Sequence, residues 1–341
     1  MAKLKVIVTG GGGYIGSHTI VDLIQNGFEV ISIDNFSHSS EKVFEGIQEI
    51  TGQRVFNYNI DLKDRASTLK VLGEHVDAVG VIHFAAYKSV PESVEKPLKY
   101  YKNNMEGLFN IVEGVEKYKI PHFVFSSSCS VYGLVDDLPL RETTPFGVAQ
   151  CAYARTKQHG EQMLEDVSLV ANFNTVLLRY FNPVGAHPSA KIAEMPIDAP
   201  NNLVPIVTQV AIGKREILTV FGGDYPTRDG SCVRDYIHVC DVAHAHTLAM
   251  QYLYQRKAKQ KVEVFNLGTG DGVTVLEVIQ AFEKTTGEKL RYEIGSRRLG
   301  DVVKVYADNS KAKSELGWEL KYSLKDMMQS AWDWEQKMLK L

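Results

Sequence analysis

A glycine-rich turn near the start of the chain constrains the fold more than any other segment. It runs from Gly10 to Gly16 with the sequence Gly-Gly-Gly-Gly-Tyr-Ile-Gly, and it directly follows the apolar run 4–9. The apolar run predicts a buried strand, and the glycines allow backbone N–H groups to approach a pyrophosphate at a helix N-terminus. The spacing therefore predicts the first strand, turn and helix of a dinucleotide-binding βαβ unit.

The segment after the turn completes this unit. Apolar residues recur at helical spacing over 15–24, and Gly27 stands where a helix-ending glycine is expected. A second apolar run ends at Asp34, whose carboxylate can accept hydrogen bonds from an adenine ribose. The same carboxylate would repel a 2′-phosphate, and Asn35-Phe36 adds no arginine, so NAD is favoured over NADP. The alternative for Asp34 is a simple turn former.

The first half of the chain alternates β-branched runs with helical patterns. This alternation predicts an α/β fold with a Rossmann-type doubly wound parallel sheet. The predicted strands are 5–9, 29–34, 54–59, 78–84, 122–127 and 175–180. Loops rich in Pro, Asn, Gly and Asp follow, so we expect a nucleotide-binding domain over 1–180 and a smaller C-terminal α/β substrate-binding domain over 181–341. The run 262–267 could return to the main sheet, and helices are predicted at 203–213, at 274–287 and after Ser323.

Composition and charge argue against several classes of partner. The 341 residues are 44% hydrophobic and 23% charged, with a formal net charge of −3, and no run of Lys and Arg suggests nucleic acid or an anionic membrane. No apolar stretch approaches the ~20 residues of a membrane span, and no signal peptide is recognisable. The four cysteines lack zinc-site spacing, so we expect reduced thiols, no metal and a cytoplasmic protein.

A second motif, Tyr153 followed by Lys157, supplies a candidate base. Residues four apart share a helix face, so the Lys157 ammonium can lie near the Tyr153 phenolic oxygen. Lowering a tyrosine pKa from about 10 to near 7 requires roughly 4 kcal/mol, which two close cations, Lys157 and oxidised nicotinamide, can provide. The spacing alone also fits a surface pair.

Three serines, Ser126, Ser127 and Ser128, end the predicted strand 122–127. Ligands collect at this carboxyl edge of a parallel sheet, so a hydroxyl here can bond the reacting oxygen and share a proton with Tyr153. A serine-rich turn is the alternative. The predicted catalytic residues are Ser128, Tyr153 and Lys157.

Longer blocks of sequence resemble the extended short-chain dehydrogenase/reductase family, and within it the UDP-glucose 4-epimerases. They follow one another in the family's order over essentially the whole chain. The blocks are 88–94, 100–104, 126–133, 178–188, 201–203, 221–227, 233–238 and 297–301.

The resemblance implies an NAD-dependent isomerase of galactose metabolism. In such a cycle Tyr153 takes the proton of the sugar 4-hydroxyl while hydride moves from C4 to NAD. The 4-keto sugar then turns about its bond to the diphosphate and recovers hydride and proton on its other face, which interconverts UDP-glucose and UDP-galactose. The resemblance also implies a homodimer formed through two helices of the nucleotide domain.

The motifs and the resemblance together give two sets of expected contacts. The NAD set is Gly10, Gly13, Tyr14, Ile15, Gly16, Asp34, Asn35, Asp61, Leu62, Phe84, Lys88, Asn103, Ser126, Tyr153, Lys157 and Tyr180. The UDP-sugar set is Ser128, Tyr153, Asn182, Asn202, Leu203, Phe221, Arg234, Arg298, Asp301 and Val305. By resemblance, Arg234 and Arg298 pair with the diphosphate, which suits their forked guanidinium groups, Phe221 lies by the uracil and Asp301 meets the ribose.

The chain departs from the family pattern near its catalytic helix and at Val305. Ala152 and Ala154 replace a common proline and glycine without removing a chemical group. Val305 stands where some relatives carry a tyrosine that crowds C2 of the sugar. A valine leaves room for an N-acetyl group, so the N-acetylated UDP-hexosamines, UDP-N-acetylglucosamine and UDP-N-acetylgalactosamine, are hypothetical further substrates.

Three other functions compete with this interpretation. A sugar-nucleotide 4,6-dehydratase needs Asp and Glu after the strand-end hydroxyl, where this chain has Ser127-Ser128-Cys129. A decarboxylase of a UDP-uronic acid needs additional positively charged residues to bind the C6 carboxylate of the sugar, and no block provides them. A non-catalytic nucleotide sensor has no reason to retain Tyr153, Lys157 and Ser128 together.

Overall fold

The computed structural model describes residues 3–195, 200, 202–298 and 302–339. Its strands are β1 Lys5–Thr9, β2 Glu29–Ile33, β3 Phe56–Tyr58, β4 Gly80–His83, β5 His122–Ser126, β6 Asn174–Tyr180, β7 Asn182–Val184, β8 Leu218–Phe221, β9 Val233–Arg234, β10 Tyr236–His238, β11 Val262–Leu267, β12 Val273–Thr274 and β13 Tyr292–Gly295. Its α-helices are α1 Tyr14–Gln25, α2 Lys42–Thr51, α3 Arg65–Glu74, α4 Val90–Glu95, α5 Pro97–Tyr101, α6 Gly107–Lys117, α7 Ala152–Val170, α8 Leu203–Ala211, α9 Val239–Tyr254, α10 Val275–Thr286 and α11 Leu324–Leu339. A 3-10 turn spans Cys129–Tyr132, and π-helical turns span Lys102–Glu106 and Ala312–Leu316.

Seven parallel strands form the main sheet in the order β11-β6-β5-β4-β1-β2-β3. The strand order reverses between β1 and β4, and ligands of doubly wound sheets bind at such a switch point, beyond the carboxyl ends of the strands. The predicted α/β fold with a Rossmann-type sheet is confirmed. The site residues that follow β1, β2, β4, β5 and β6 are therefore gathered at one edge.

The second half of the chain contributes to this sheet as well. Strand β11 pairs with β6 along its whole length, and α9 packs its buried Val242, Ala245 and Ala249 into the core that contains Val6 and Ile20 of the first βαβ unit. The sequence analysis left α9 out. The chain thus crosses back over the proposed boundary at 180/181, and the division into two domains stays a prediction.

The remaining elements of the second half form a smaller core of their own. Helices α8, α10 and α11 pack there with β8 around Val207, Phe282 and Trp332. The predicted start of α10 is confirmed by a capping box between Thr274 and Glu277. Its predicted end is confirmed by Gly287, which adopts a left-handed φ of 78°. This core supports the loops that face the main sheet.

Candidate active site

The glycine turn at the end of β1 forms an open cradle. Gly10 has a φ of +70°, and a Cβ there would lie 2.8 Å from the Ala85 backbone nitrogen, so glycine is required by both conformation and space. A Cβ on Gly16 would collide with the Gly10 carbonyl oxygen. Gly13 precedes α1 and offers no side-chain cap, so the first N–H groups of that helix are available to an anion such as a diphosphate.

Asp34 closes the far side of this turn at the end of β2. Its carboxylate accepts hydrogen bonds from the Gly12 N–H at 2.9 Å, the Phe36 N–H at 2.8 Å and the Ser39 hydroxyl at 2.9 Å. Asp34 therefore shapes the loop, as the turn-former alternative expected, and it also lies beyond the carboxyl end of β2, next to the glycine turn, where the ribose prediction places it. Asn35, the next residue, accepts from the Ser37 N–H at 3.0 Å.

Tyr153 and Lys157 lie on the first turns of α7. Both are buried, with exposed fractions of 8% and 4%. The Lys157 ammonium donates to the Ser126 carbonyl at 2.6 Å and lies 5.9 Å from the centre of the Tyr153 ring. Because both side chains are buried, the surface-pair alternative does not describe them. The helix begins at Cys151, whose sulfur accepts from the Ala154 N–H at 3.4 Å.

Burial dominates the electrostatics of this pair. Desolvation lowers the pKa of Lys157 to about 8, although the nearby Glu161 carboxylate acts in the opposite direction. Desolvation also raises the pKa of Tyr153, and a hydrogen bond with Ser128 only partly offsets the increase. A base role requires a lowered Tyr153 pKa, but the protein groups alone raise it. Desolvation of the phenolate has a larger effect than the interactions that stabilise it.

The three serines at the end of β5 have three different partners. The Ser126 hydroxyl lies 2.5 Å from the Tyr180 hydroxyl, and Ser127 donates to Glu161. Ser128 caps the following 3-10 turn by accepting from the Ser130 N–H at 3.2 Å, and its side chain acts to lower the pKa of Tyr153. Ser128 is thus the serine of the three that interacts with Tyr153.

Other residues of the predicted NAD set lie around the same edge. Phe84 follows β4 and packs on His246 at 4.5 Å between ring centres. The Tyr14 hydroxyl donates to the Gly185 carbonyl at 2.5 Å, and Lys88 forms an ion pair with Glu194.

The remaining members lie on elements that border this edge. Asn103, in the π-helical turn before α6, donates to Asn104 at 3.1 Å. Beyond β3, Asp61 accepts from the Lys63 N–H at 2.9 Å, and Leu62 is buried. Their contacts with NAD stay predictions.

The predicted UDP-sugar residues lie mainly on the second half of the chain. Arg234 donates to the Val302 carbonyl at 2.5 Å. The neighbouring Val305 donates its N–H to the Val233 carbonyl at 3.2 Å. Arg298 lies over Phe221, with 5.4 Å between the guanidinium carbon and the ring centre, and Phe221 is 44% exposed.

The other members of this set flank the two halves. Asn182 begins β7, directly after β6, and its N–H donates to the Asp235 carbonyl at 3.0 Å. Asn202 precedes α8, which Leu203 begins, and its amide donates to Glu194 at 3.3 Å. Asp301 lies outside the described residues. The roles of all these residues stay predictions.

Several buried polar residues around the site were missed by the sequence analysis. Glu161 and Arg179 form an ion pair behind the serines, with 0% and 5% side-chain exposure. His83 and His246 are both buried near Lys157. The i,i+4 spacing from Lys157 could have pointed to Glu161. Its partners Ser127 and Arg179 come from β5 and β6, which only the tertiary structure brings together.

The described residues offer little support for other kinds of site. Within the described ranges, no group of three or more His, Cys, Asp or Glu side chains is arranged to hold a metal ion. Likewise, no helix in the described part of the chain is long and apolar enough to cross a membrane.

Comparison with known proteins gives consistent matches over nearly the whole chain. A family model described as GDP-mannose 4,6 dehydratase matches residues 7–331. UDP-glucose 4-epimerase from Bacillus subtilis is 47% identical over 333 residues, which cover 97% of each chain. The crystal structure of UDP-glucose-4-epimerase from Stenotrophomonas maltophila with bound NAD and formylated UDP-arabinopyranose superimposes with a TM-score of 0.95, 44% identity and 99% coverage of both chains. The UDP-Glc/GlcNAc 4-epimerase from Campylobacter jejuni gives a TM-score of 0.85 at 34% identity, covering 98% of this chain and 99% of that one.

Proposed function

The chain belongs to the UDP-glucose 4-epimerase family within the extended short-chain dehydrogenases/reductases, and from this premise we infer that it interconverts UDP-glucose and UDP-galactose with bound NAD. The observation that carries the inference is the arrangement of Ser128, Tyr153 and Lys157. Ser128 acts to lower the pKa of Tyr153, and Lys157 lies beside the Tyr153 ring, at the edge of the sheet where the glycine cradle opens.

The cradle and the residues near it fit NAD. The uncapped N-terminus of α1 suits a diphosphate, and the glycines leave the space that a Cβ would fill. Asp34 at the end of β2 suits a ribose and disfavours a 2′-phosphate. When bound there, NAD supplies the reversible uptake of hydride from C4 of the sugar. Its positive charge is also the second cation that the Tyr153 pKa requires, since burial raises that pKa.

The chain's own residues would handle the proton of the sugar 4-hydroxyl. Tyr153 accepts this proton at its phenolic oxygen and returns it after the sugar has turned. The Ser128 hydroxyl hydrogen-bonds the reacting oxygen of the sugar. Lys157 is held in place by the Ser126 carbonyl, and its charge favours the phenolate. Because Tyr153 and Lys157 are buried, water has little access to the proton in transit.

The binding residues must hold the nucleotide while the hexose turns. Arg234 and Arg298 carry charges that suit a diphosphate, and Phe221 presents an exposed aromatic face beside Arg298 that suits a uracil. Phe221 of β8, Arg234 of β9 and Arg298 after β13 all belong to the second half of the chain, whereas Tyr153 and Lys157 belong to α7. The residues that bind the UDP are thus separate from the catalytic residues, so the UDP can be held while the sugar ring turns.

A direct assay tests the proposed activity. The purified protein is supplied with NAD and UDP-galactose, and UDP-glucose is measured with a coupled UDP-glucose dehydrogenase. We expect UDP-galactose to be consumed as the coupled dehydrogenase removes the UDP-glucose formed from it. If no UDP-glucose forms, the proposed activity is wrong.

We also propose activity on UDP-N-acetylglucosamine and UDP-N-acetylgalactosamine. Val305 supports this proposal because it is partly buried beside Val233 and is smaller than the tyrosine of some relatives. The Campylobacter jejuni relative is named as acting on both plain and acetylated sugars. No turnover of either acetylated sugar would contradict the proposal.

A 4,6-dehydratase is the competing activity that the family-model description brings forward. Ser127, Ser128 and Cys129 stand where that reaction needs an acid and a base. Ser127 is already bonded to Glu161, and burial raises the pKa of Cys129 to about 12, so its thiol stays neutral near pH 7. We therefore expect no dehydrated keto sugar in the assay.

We propose that the protein is a cytoplasmic homodimer. Its four cysteines are unpaired, which suits a reducing compartment. Apolar side chains are exposed on α5, α6 and α7, namely Leu98 at 73%, Phe109 at 48%, Leu169 at 77% and Val170 at 84%, and such residues suit an interface between two copies. Light scattering should give about twice the 38.1 kDa chain mass, whereas a monomer would contradict the proposed dimer.

A further inference from the structure

Behind the catalytic residues lies a buried carboxylate that the proposed chemistry does not use. Glu161 is on α7, one helical turn beyond Lys157 and two beyond Tyr153, and it is 0% exposed. It forms an ion pair with Arg179 of β6, with 2.6 Å between Arg179 Nη2 and Glu161 Oε2. The Arg179 Nε lies 3.0 Å and 3.1 Å from the two carboxylate oxygens.

The same carboxylate also reaches the end of β5. The Ser127 hydroxyl donates to Glu161, and the Ser127 N–H donates to the Leu178 carbonyl at 2.9 Å. On either side of Ser127, the Ser126 carbonyl accepts from Lys157, and the Ser128 side chain acts to lower the pKa of Tyr153. Glu161 therefore joins α7 to the end of β5 at Ser127. This residue lies between Ser126, which interacts with Lys157, and Ser128, which interacts with Tyr153.

Arg179 anchors this junction to the rest of the fold. It donates to the Tyr132 hydroxyl at 3.0 Å and to the Glu142 carbonyl at 3.3 Å. Tyr132 in turn donates to Asn266 of β11 at 2.6 Å. A buried ion pair is not by itself a strong source of stability, because desolvation offsets its attraction. A role in fixing geometry accounts better for this one.

The charge of Glu161 also acts on Lys157. The ionisable groups facing Lys157 are Tyr153 and Glu161 on α7, His83 on β4 and His246 on α9. Burial lowers the pKa of His83 to about 3 and that of His246 to about 4, so both are neutral near pH 7. The carboxylate of Glu161 opposes the effect of burial on the Lys157 pKa.

We propose that Glu161 is a positioning residue for the proposed epimerase reaction, on which this inference rests: it sets the α7 helix against the Ser127 strand end so that Tyr153, Lys157 and Ser128 meet. Its second effect is to keep Lys157 protonated over a wider range of pH. Both effects reach the substrate through other residues, since Glu161 itself lies behind them.

Three variants of the NAD-loaded protein test the proposal. Ser127→Ala removes the strand-end bond and keeps the ion pair, so we expect kcat to fall about tenfold with KM within about twofold. Glu161→Gln removes the charge, so we expect a larger loss of kcat and a basic limb of the pH profile that moves to lower pH. The double variant Glu161→Gln/Arg179→Met removes both buried charges and replaces Glu161→Gln if that variant does not fold.

Glu165→Gln is the matched control, because it makes the same change one turn further along α7 at an exposed side chain. We expect it to keep the parent's kcat and pH profile. The proposal would be overturned if Ser127→Ala and either Glu161 variant both fold and each keeps the parental kcat and pH profile. A purely structural role would lower the melting temperature without moving the pH profile, and that result would overturn it too.

A substrate-free measurement separates this proposal from the proposed function. The ultraviolet titration of Tyr153 in the NAD-loaded proteins is obtained as the difference between each protein and the same protein carrying Tyr153→Phe. We expect the titration to move to higher pH in Glu161→Gln, because Lys157 loses its proton earlier, and to stay in place in Glu165→Gln. An unmoved titration contradicts the role of Glu161. A parent protein inactive on UDP-galactose contradicts only the proposed function.

Discussion

At the scale of single residues, burial opposes the chemistry that Tyr153 has to perform. The side chain is 8% exposed, and desolvation raises its pKa. The Lys157 ammonium is held beside it by the Ser126 carbonyl at 2.6 Å, yet burial lowers the pKa of Lys157 to about 8. A working base therefore depends on the charge of the cofactor, which couples the tyrosine to the presence of oxidised NAD.

Replacing Tyr153 by phenylalanine tests its role as the base. The change keeps the ring and removes the oxygen that we propose accepts the substrate proton, so we expect kcat to fall by about 10²–10⁴-fold with NAD still bound. Turnover of UDP-galactose and the NAD content of the purified protein are the measurements. Tyr254→Phe, at a tyrosine that is 45% exposed, serves as the control. A Tyr153→Phe protein with parental turnover would show that the base lies elsewhere.

Val305 should set the tolerance for a group at C2 of the sugar. We expect Val305→Tyr to lower kcat/KM for UDP-N-acetylgalactosamine by about 10–100-fold, since overpacking costs about 1–3 kcal/mol, and to change the value for UDP-galactose much less. Lys304→Tyr adds the same ring at the adjacent, exposed position and should alter neither. Equal losses on both sugars in Val305→Tyr would mean that the valine does not select the substituent.

Single residues were predicted from the sequence where local geometry decides. Gly10 and Tyr153 belong to motifs whose spacing is local, so both could be placed on their elements. Ser128 was the serine predicted to act with Tyr153, but the run 126–128 does not show why the other two differ, because the partners of Ser126 and Ser127 are Tyr180 and Glu161, far away along the chain. The sequence also did not show that burial by itself raises the Tyr153 pKa, since burial is a tertiary property, and the lowering expected with NAD bound stays a prediction.

At the scale of elements, the turn between β1 and α1 is the most demanding piece of backbone in the site. A Cβ on Gly16 would collide with the Gly10 carbonyl, which is backbone and cannot rotate away. We expect Gly16→Ala to displace α1 from β1, to remove NAD from the purified protein and to lower the melting temperature. Bound NAD is measured by absorbance after denaturation.

A control for this change is available at the end of α2. Gly52 has a left-handed φ of 70° and nothing within 4 Å of a Cβ, and asparagine tolerates that conformation. Gly52→Asn should keep its NAD and lose little stability. A Gly16→Ala protein that retains NAD at the parental level would contradict the role of the turn.

Elements with a clear periodicity or cap were predicted, and those without were not. The start and end of α10 followed from Thr274, Glu277 and Gly287. Helix α9 was missed because it is buried on most of its surface, from Val239 to Leu253, and so shows no single apolar stripe. Strand β3 came out three residues shorter than the predicted 54–59 because it pairs on only one side, at the edge of the sheet.

At the scale of the whole molecule, several buried neutral histidines make stability depend on pH. Burial lowers the pKa of His18 and His83 to about 3 and of His238 and His246 to about 4, from an ordinary 6.5. As the pH falls, these histidines are protonated in the unfolded chain before they are protonated in the folded protein. The free energy of unfolding is therefore highest above pH 6.5 and decreases below it. At pH 5.5 each such histidine lowers the free energy of unfolding by about 1.4 kcal/mol.

Denaturant unfolding at pH 7.5 and pH 5.5 measures this effect. We expect the free energy of unfolding to be several kcal/mol lower at pH 5.5, and His246→Phe to reduce that difference by about 1.4 kcal/mol. His159→Gln, at an exposed position of α7, should leave the difference unchanged. A protein at least as stable at pH 5.5 as at pH 7.5 would contradict the assignment of these histidines as neutral and buried.

The whole-molecule architecture could be predicted in its first half because strands and helices alternate there in short, regular units. In the second half, the return of 262–267 to the main sheet was expected and is confirmed by β11, whereas the packing of α9 on the first βαβ unit joins distant segments and was not predicted. The residues expected around the UDP-sugar came from resemblance, and several of them lie in short strands such as β8 and β9 that no local pattern fixes.

The most direct test of the account uses UDP-galactose that carries deuterium at C4, incubated with the purified protein without added NAD. The product is followed by NMR of the anomeric proton and of position 4. We predict UDP-glucose with the deuterium retained at C4, because the hydrogen is taken up and returned within one closed site. UDP-glucose with a solvent proton at C4, or no UDP-glucose even after NAD is supplied, would contradict the account.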